Sequence, residues 1–360
     1  MAENYPLSLP LILHIPSIYL TSTNTMQYHL VLKSSVVHSP YKKAHYVTPN
    51  DRKEYYMTKN ELLSELDRIE RFANLSRFQR LLTTPRKYLF GLLYKNLFYR
   101  MHSGGKRIDT CTFFRRPIQL VLPGAMDIYL CGGKTHASEI RLARFLIHHL
   151  YDDDTFLDIG AHLGYFSLLA SEIVTNGQVV AVEASPTTFS LLTNNISPVA
   201  NIKAMNLALS DDNGTIDFLE FPVLYAEFNT QEKEQYKQEE WFKKVKPQTV
   251  NTAAMKGSDF ISLHALNPAM IKIDVEGAEE KVIRGLLDFL NSTVAYVVME
   301  FANRNRGNDN HRMAEQHLCS VGYSPHFINN EGELETIIGS TDEYISASGM
   351  ESDNIVYLKM

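Results

Sequence analysis

The sequence predicts an α/β fold built on a mostly parallel sheet, with a helical extension at its N-terminus. From about residue 104 onward, short apolar runs alternate with stretches of helical periodicity, which is typical of βαβ units. Two of these runs end in acidic residues and glycines, around Asp158 and Asp274. Residues 51–101 show helical periodicity alone. We therefore divide the chain into an extension, residues 1–103, and an α/β domain, residues 104–360.

Seven apolar runs are predicted to be strands: residues 119–122, 128–131, 156–159, 179–182, 204–209, 270–273 and 295–301. A helix with one apolar face is predicted over residues 138–150. Residues 215–269 look like an insertion, in which the charged stretch 231–246 is expected to form a solvated helix.

Composition excludes several classes of protein. The 360 residues carry a net charge of −6, whereas general nucleic-acid binders carry excess positive charge, so no nucleic-acid partner is expected. The three cysteines are far apart, which argues against a zinc site or a disulfide framework and fits a reducing, cytoplasmic compartment. The apolar stretch 9–20 contains two prolines and is too short for a membrane span, and nothing around it resembles a signal peptide.

The helical extension has an unusual charge pattern. Asn60 is a candidate N-cap for a helix reaching Phe72, and Thr84 followed by Pro85 predicts the start of another. Between residues 71 and 107 there are nine Lys or Arg and no acidic residue. Such a segment either covers the core with its basic side in water or makes a weak contact with an anionic membrane. We favour the first alternative, because amphipathic helices more often cover a core.

The run at residues 156–159 leads into a glycine-containing loop of Gly160, Ala161, His162 and Gly164. Glycine permits a tight turn and a close approach of the backbone to a ligand. Asp158 lies at the strand's carboxyl end, where a carboxylate suits an ammonium group such as that of S-adenosylmethionine. The loop lacks the G-x-G-x-x-G pattern of dinucleotide sites, which argues against NAD. The alternative is a purely structural turn.

Glu183 follows the next strand, 23 residues after Gly160, close to the spacing of an acid that binds ribose hydroxyls. Ala184 follows it and begins the turn into a helix. Asn206 and Ala208, near the end of the third strand of this series, are candidates to lie beside an adenine, although an Asn there is equally consistent with a hydrogen bond within the fold.

The run at 270–273 alternates apolar residues with Lys272 and Asp274, and strand periodicity adds Glu276 to the same side. Buried charges are costly unless paired, so this group suggests either chemistry or an ion pair that orders the turn. For methyl transfer, Asp274 or Glu276 would take the proton of an acceptor. Hard oxygen ligands would suit Mg²⁺, with Glu300 as a third carboxylate, but the set of metal ligands is incomplete and we predict no metal site.

The sequence resembles the FkbM family of methyltransferases over residues 130–360. The resemblance rests on the segments FLDIGAHLGYFSLLA, VVAVEAS, IKAMNLALSD and IKIDVEGAEEKVIRGL, together with the later pieces VVMEF, SVGY and SDNIVYLK. The resemblance implies a class I methyltransferase fold, a Rossmann-like seven-stranded sheet with one antiparallel strand. It implies O-methylation of a sugar, glycan or small natural product. S-adenosylmethionine would be bound by Asp158, Gly160 and Glu183, and the acceptor would lie beside Lys272, Asp274 and Glu276.

The sequence departs from the family pattern at two places. His162 stands where the family often has Asn, and residues 210–269, which would shape the acceptor pocket, have no clear counterpart. Two alternatives to an active methyltransferase are a non-catalytic member that binds only cofactor or partners and an NAD-dependent oxidoreductase on a similar sheet.

Overall fold

The computed structural model describes residues 56–99, 105–222, 225–226, 229–232 and 245–359. The apolar stretch 9–20 lies outside these residues, and so does most of the charged stretch 231–246.

Thirteen strands and eleven α-helices are formed within the described residues. The strands, numbered along the chain, are β1 (Lys106–Cys111), β2 (Pro117–Leu122), β3 (Thr155–Ile159), β4 (Gln178–Val182), β5 (Ile202–Met205), β6 (Ala208–Ser210), β7 (Gly214–Glu220), β8 (Gln248–Lys256), β9 (Met270–Ile273), β10 (Tyr296–Ala302), β11 (Tyr323–Ile328), β12 (Leu334–Thr336) and β13 (Ser352–Lys359). The helices are α1 (Lys59–Ala73), α2 (Arg77–Thr83), α3 (Pro85–Leu93), α4 (Met126–Cys131), α5 (Ala137–His149), α6 (Tyr165–Ser171), α7 (Pro186–Ile196), α8 (Gly257–Leu263), α9 (Glu279–Ser292), α10 (Asp309–Ser320) and α11 (Thr341–Ser348).

Eight strands form the main sheet, in the order β12-β11-β13-β10-β9-β3-β4-β5. Strands β5, β4, β3, β9 and β10 run parallel, and β13 lies antiparallel between β10 and β11. The predicted mostly parallel α/β sheet with one antiparallel strand is therefore confirmed for seven strands, to which the short β12 adds an edge.

The strand order reverses between β3 and β9. From β3 the chain moves outward through β4 to β5, and it later returns to place β9 on the other side. Ile159 pairs with Ile273, so these two strands end side by side. A reversal of this kind opens a crevice beyond the carboxyl ends of the strands, where ligands bind in open α/β sheets. The two motifs singled out in the sequence therefore meet at one edge.

One of the predicted strands is wrong, and a second is wrong in part. Residues 128–131 belong to α4, which ends at Gly132, where a φ of +86° stops the helix. The run at 204–209 is interrupted: β5 stays in the main sheet, whereas β6 joins β7 and β8 in a three-stranded sheet. The predicted strand at 119–122 is confirmed as part of β2, but it pairs with β1 in a separate hairpin.

Helix α1 packs on the same core as the sheet. Its buried side chains, Leu62, Leu66, Ile69 and Phe72, share one apolar cluster with residues of α5, α6 and β3. Its N-cap is Thr58 rather than Asn60, with Glu61 completing a capping box. Helix α3 begins at Pro85 as predicted. The boundary at residues 103 and 104 lies outside the described residues and stays a prediction.

Candidate active site

The glycine loop after β3 is held tightly against its neighbours. The backbone N–H groups of Gly160 and Ala161 donate to the carbonyl oxygen of Val182, at 2.9 and 3.0 Å. Gly160 has a φ of +79°, and a Cβ placed there would lie 1.8 Å from the carbonyl oxygen of Asp274. The sequence predicts that glycine here permits a tight turn and a close approach to a ligand. The structure shows that Gly160 is needed for close approach of the chain's own backbone.

Asp158 lies beneath this loop and is almost fully buried, with 1% of its surface exposed. The hydroxyl of Ser167 donates to its Oδ2 at 2.6 Å, and Nζ of Lys272 lies 3.6 Å from its Oδ1. Asp158 does not line the cavity described below. Its predicted contact with the cofactor's ammonium group therefore stays a prediction.

Glu183 closes the adjacent edge at the end of β4. Its Oε2 accepts the backbone N–H of His162 at 2.8 Å, and its Oε1 accepts that of Ser185 at 2.9 Å. Burial raises the pKa of Glu183 to about 7, although these two donors act in the opposite direction. A carboxylate has about four lone-pair sites, so both oxygens retain capacity for further donors.

Asn206 serves the fold at this edge. Its side-chain amide donates to the carbonyl oxygen of Glu183 at 2.9 Å and to that of Ala184 at 3.3 Å. Its side chain is thus engaged by the end of β4, and Asn206 does not line the cavity, whereas Ala184 and Ala208 do.

On the other side of β3, Lys272 lies in a compact ion-pair network. Its Nζ is 3.1 Å from Oδ2 of Asp274 and 3.6 Å from Oδ1 of Asp158. Burial alone would lower the pKa of Lys272, but the two acids outweigh this effect and raise the pKa. Burial likewise pushes the pKa of Asp274 upward, yet Lys272 and then Lys134 hold it below its ordinary value. The ion pair that the sequence left open as an alternative is therefore present.

Three acids approach one another beside this network. One carboxylate oxygen each from Asp274, Glu276 and Glu300 lies within 4.8 Å of the other two. Burial, followed by the charge of Asp274, raises the pKa of Glu300. Since Lys272 already neutralises Asp274, the cluster gives no support to the hypothesis of bound Mg²⁺.

These elements enclose a cavity of about 350 Å³. Nine of the residues singled out in the sequence line it: Gly160, His162, Glu183, Ala184, Ala208, Lys272, Asp274, Glu276 and Glu300. Asp158, Ala161, Gly164 and Asn206 do not. Gly164, with a φ of +84°, instead forms the start of α6.

Sequence reasoning missed a second wall of the cavity. Lys134 and Glu139 form an ion pair there, and Nζ of Lys134 lies 5.8 Å from the ring centroid of Phe166. Nζ of Lys272 lies 5.6 Å from the same ring. Lys134 lies between the glycine pair Gly132 and Gly133 and helix α5, and the sequence pattern there did not single it out. Arg306, in the polar run after β10, also lines the cavity.

A family model described as the methyltransferase FkbM domain matches residues 158–325. This segment, a little under half of the chain, is similar to the FkbM family of methyltransferases. The match begins at Asp158 and takes in Glu183, Lys272 and Glu276, so it covers both edges of the cavity. The predicted resemblance to FkbM methyltransferases and the predicted enzyme class, a methyltransferase, are confirmed.

Two curated proteins and one solved structure are similar to parts of this chain. "Methyltransferase 1" of Beauveria bassiana is 29% identical over 168 residues, covering 42% of this chain and 67% of that protein. A hexuronic acid methyltransferase of Haloferax volcanii is 27% identical over 159 residues, covering 44% of this chain and 59% of its own length. The chain thus spans about three fifths of the second relative. The crystal structure of an FkbM methyltransferase from Methylobacillus flagellatus has a TM-score of 0.37 at 12% identity, over 65% of this chain and 52% of that one.

Proposed function

We propose that this protein transfers the methyl group of S-adenosylmethionine to a hydroxyl of a sugar, a glycan or a small natural product. The observation that carries the proposal is the carboxylate of Glu183, which is fixed by two backbone donors at the wall of a cavity and keeps acceptor capacity for a vicinal diol.

The cavity suits the adenosine part of that cofactor. Apolar side chains line it around Ala208, namely Leu207, Leu209, Ile216 and Phe218, and an adenine ring would pack against such a wall. The ribose hydroxyls would donate to Glu183. When bound, S-adenosylmethionine would supply a methyl group already activated on a sulfonium sulfur, so the protein's remaining tasks are to align the acceptor and to take up its proton.

The far end of the cavity has the character of a polyol site. Glu276, Glu300 and Glu351 line it together with the buried Asn354 and with Arg306. Carboxylate and amide oxygens accept hydrogen bonds from hydroxyl groups, and the excess of acids would repel an anionic acceptor. Neutral sugars and hydroxylated natural products therefore fit this end better than uronic acids do.

Two acids at this end are suited to different tasks. Asp274, whose pKa is lowered, remains ionised and orients Lys272. Glu300, whose pKa is raised, is the stronger base of the two when ionised, and we assign it the acceptor proton. Lys272 and Glu276 are then residues that position the acceptor and the loop.

The decisive experiment is isothermal titration with S-adenosylhomocysteine. We expect saturable micromolar binding by the wild type, strong weakening in Glu183→Ala, and no change in Glu331→Ala, an exposed acid far along the chain. Absence of binding by the wild type would contradict the proposal and favour a non-catalytic member that binds partners alone. Titration of NADH fluorescence tests the oxidoreductase alternative, for which we expect no binding.

Methyl transfer is then measured with radiolabelled cofactor against neutral sugars, a uronic acid and a phenolic natural product. Transfer to a hydroxyl of a neutral acceptor is expected. Transfer to the uronic acid alone would contradict the proposed acceptor class while leaving the cofactor assignment intact.

A further inference from the structure

Helices α2 and α3 and the π-helical turn after them, Tyr94–Phe98, carry a group of exposed apolar side chains. Twelve large hydrophobic side chains are strongly exposed in the described residues, and seven of them lie between residues 78 and 98. We call these seven the apolar face: Phe78, Leu82, Leu89, Leu92, Leu93, Leu97 and Phe98, which are 44–68% exposed. The other five are scattered along the rest of the chain. A concentration of this kind on one short segment marks an interaction surface.

Positive charge accompanies the apolar face. Arg77, Arg86 and Lys95 are exposed on the same helices, and no carboxylate pairs with them among the described residues. No Asp or Glu occurs anywhere between residues 71 and 107. The face therefore combines apolar side chains with uncompensated cations, on a protein whose net charge is −6.

The segment that presents this face is anchored to the domain. At Gly91, a Cβ would lie 2.6 Å from Sδ of Met126, so α3 packs closely against α4. The Phe90 and Tyr129 rings lie 6.1 Å apart, and Nζ of Lys87 donates to the carbonyl oxygen of Tyr129 at 2.8 Å. The same α4 leads within three residues to Lys134 at the cavity wall. The apolar face is thus held at a fixed orientation to the active site.

We propose that the apolar face rests on the surface of a bilayer containing anionic lipids. Leucine and phenylalanine would enter the boundary between headgroups and acyl chains, while Arg77, Arg86 and Lys95 meet the lipid phosphates and carboxylates. A second copy of the chain fits less well, because two such faces would bring their cations together. No described helix is long and apolar enough to cross a bilayer, so the contact is interfacial.

The test is co-sedimentation of the full chain with vesicles of phosphatidylcholine, with or without phosphatidylserine. We expect binding to the phosphatidylserine vesicles that weakens with added salt. The variant Leu89→Gln/Leu93→Gln/Leu97→Gln keeps the net charge and is expected to bind at least about tenfold more weakly. The variant Arg77→Gln/Arg86→Gln/Lys95→Gln is expected to lose affinity by a similar factor for the phosphatidylserine vesicles, but not for vesicles of phosphatidylcholine alone.

A matched control applies the same change to exposed apolar residues elsewhere, as Leu263→Gln/Val294→Gln/Ile338→Gln, which are 68%, 71% and 95% exposed. This variant is expected to bind vesicles like the wild type. Melting temperature and S-adenosylhomocysteine affinity report whether each variant is folded. Equal loss in the control, no vesicle binding by the wild type, or a wild-type dimer that dissociates in the leucine variant would each overturn the proposal.

Discussion

Glu183 combines two properties that would make the proposed cofactor binding sensitive to pH near neutrality. Its pKa is raised to about 7 by burial, whereas acceptance of two ribose hydroxyls requires the ionised form. We predict that the affinity for S-adenosylhomocysteine falls as the pH decreases from 8 to 6, because the carboxyl becomes protonated. Isothermal titration at several pH values measures this. Glu183→Gln should bind weakly with a flat pH profile, and an equally steep profile in that variant would assign the pH dependence to another group.

His162 occupies a backbone position that few residues adopt without cost. Its φ is +50°, in the left-handed region where Asn is favoured, and its N–H holds the carboxylate of Glu183. Burial, followed by the charge of Lys134, lowers the pKa of His162 to about 4, so the ring is neutral at physiological pH. Its contribution is therefore conformational.

We predict that His162→Asn folds and binds cofactor nearly as the wild type does. His162→Val should lose about 1–3 kcal/mol of stability, because a β-branched residue is strained in this region. Thermal unfolding and titration with S-adenosylhomocysteine check both variants. A loss in His162→Asn as large as that in His162→Val would show that the imidazole itself is required.

The loop between β9 and α9 depends on a buried acid, Glu279. The N–H of Val275 donates to Oε1 of Glu279 at 3.1 Å, and Nε2 of His311 lies 3.4 Å from its Oε2. Glu279 is fully buried, and burial raises its pKa from an ordinary value near 4.5 to about 7. Through this hydrogen bond, Glu279 holds the turn that carries Asp274 and Glu276.

This shift predicts a definite pH dependence of stability. Below pH 4.5, Glu279 is protonated in both the folded and the unfolded state, and its contribution to the stability of the folded state is fully present. Because its pKa is higher in the folded state, this contribution is lost as the pH rises to about 7. Between those pH values, the free energy of unfolding of Glu279→Gln should rise relative to that of the wild type by on the order of 2–3 kcal/mol. Urea unfolding from pH 4.5 to 8 measures the difference, with the exposed Glu331→Gln as control. Parallel curves for wild type and Glu279→Gln would contradict the assignment.

Some features of the fold and of the cavity can be predicted from the sequence, and others cannot. Alternating strands and helices, with acids at the strand ends, predicted the parallel sheet and both edges of the cavity. The run at 128–131 was misassigned because a short apolar run fits either a strand or a buried helix, and Gly132 decides between them through its positive φ. Lys134 was missed because its approach to Phe166 and Lys272 depends on tertiary packing alone.

Within the part of the chain that the structure describes, the main sheet separates two apolar cores. One contains the buried face of α1 together with Phe145 and Phe156, and the other contains Leu286 and the remaining strand faces. Arg144 also joins α5 to α1 through Asp67 at 2.8 Å and Glu70 at 2.6 Å. Helix α1 therefore contributes core to the α/β domain.

This arrangement predicts that residues 56–99 unfold together with the domain. Leu66→Ala, in the extension, and Leu286→Ala, in the domain, should each cost about 2–5 kcal/mol, because both side chains are almost completely buried. Each variant should show one thermal transition at a lower temperature than the wild type. S-adenosylhomocysteine should raise the transition temperature of both variants, because a ligand that binds only the folded state stabilises it. If Leu66→Ala instead produced an early, separate transition that the ligand left unmoved, α1 would belong to an independent domain. Calorimetry distinguishes the two results, because a shared core requires α1 and the sheet to lose their packing in the same step.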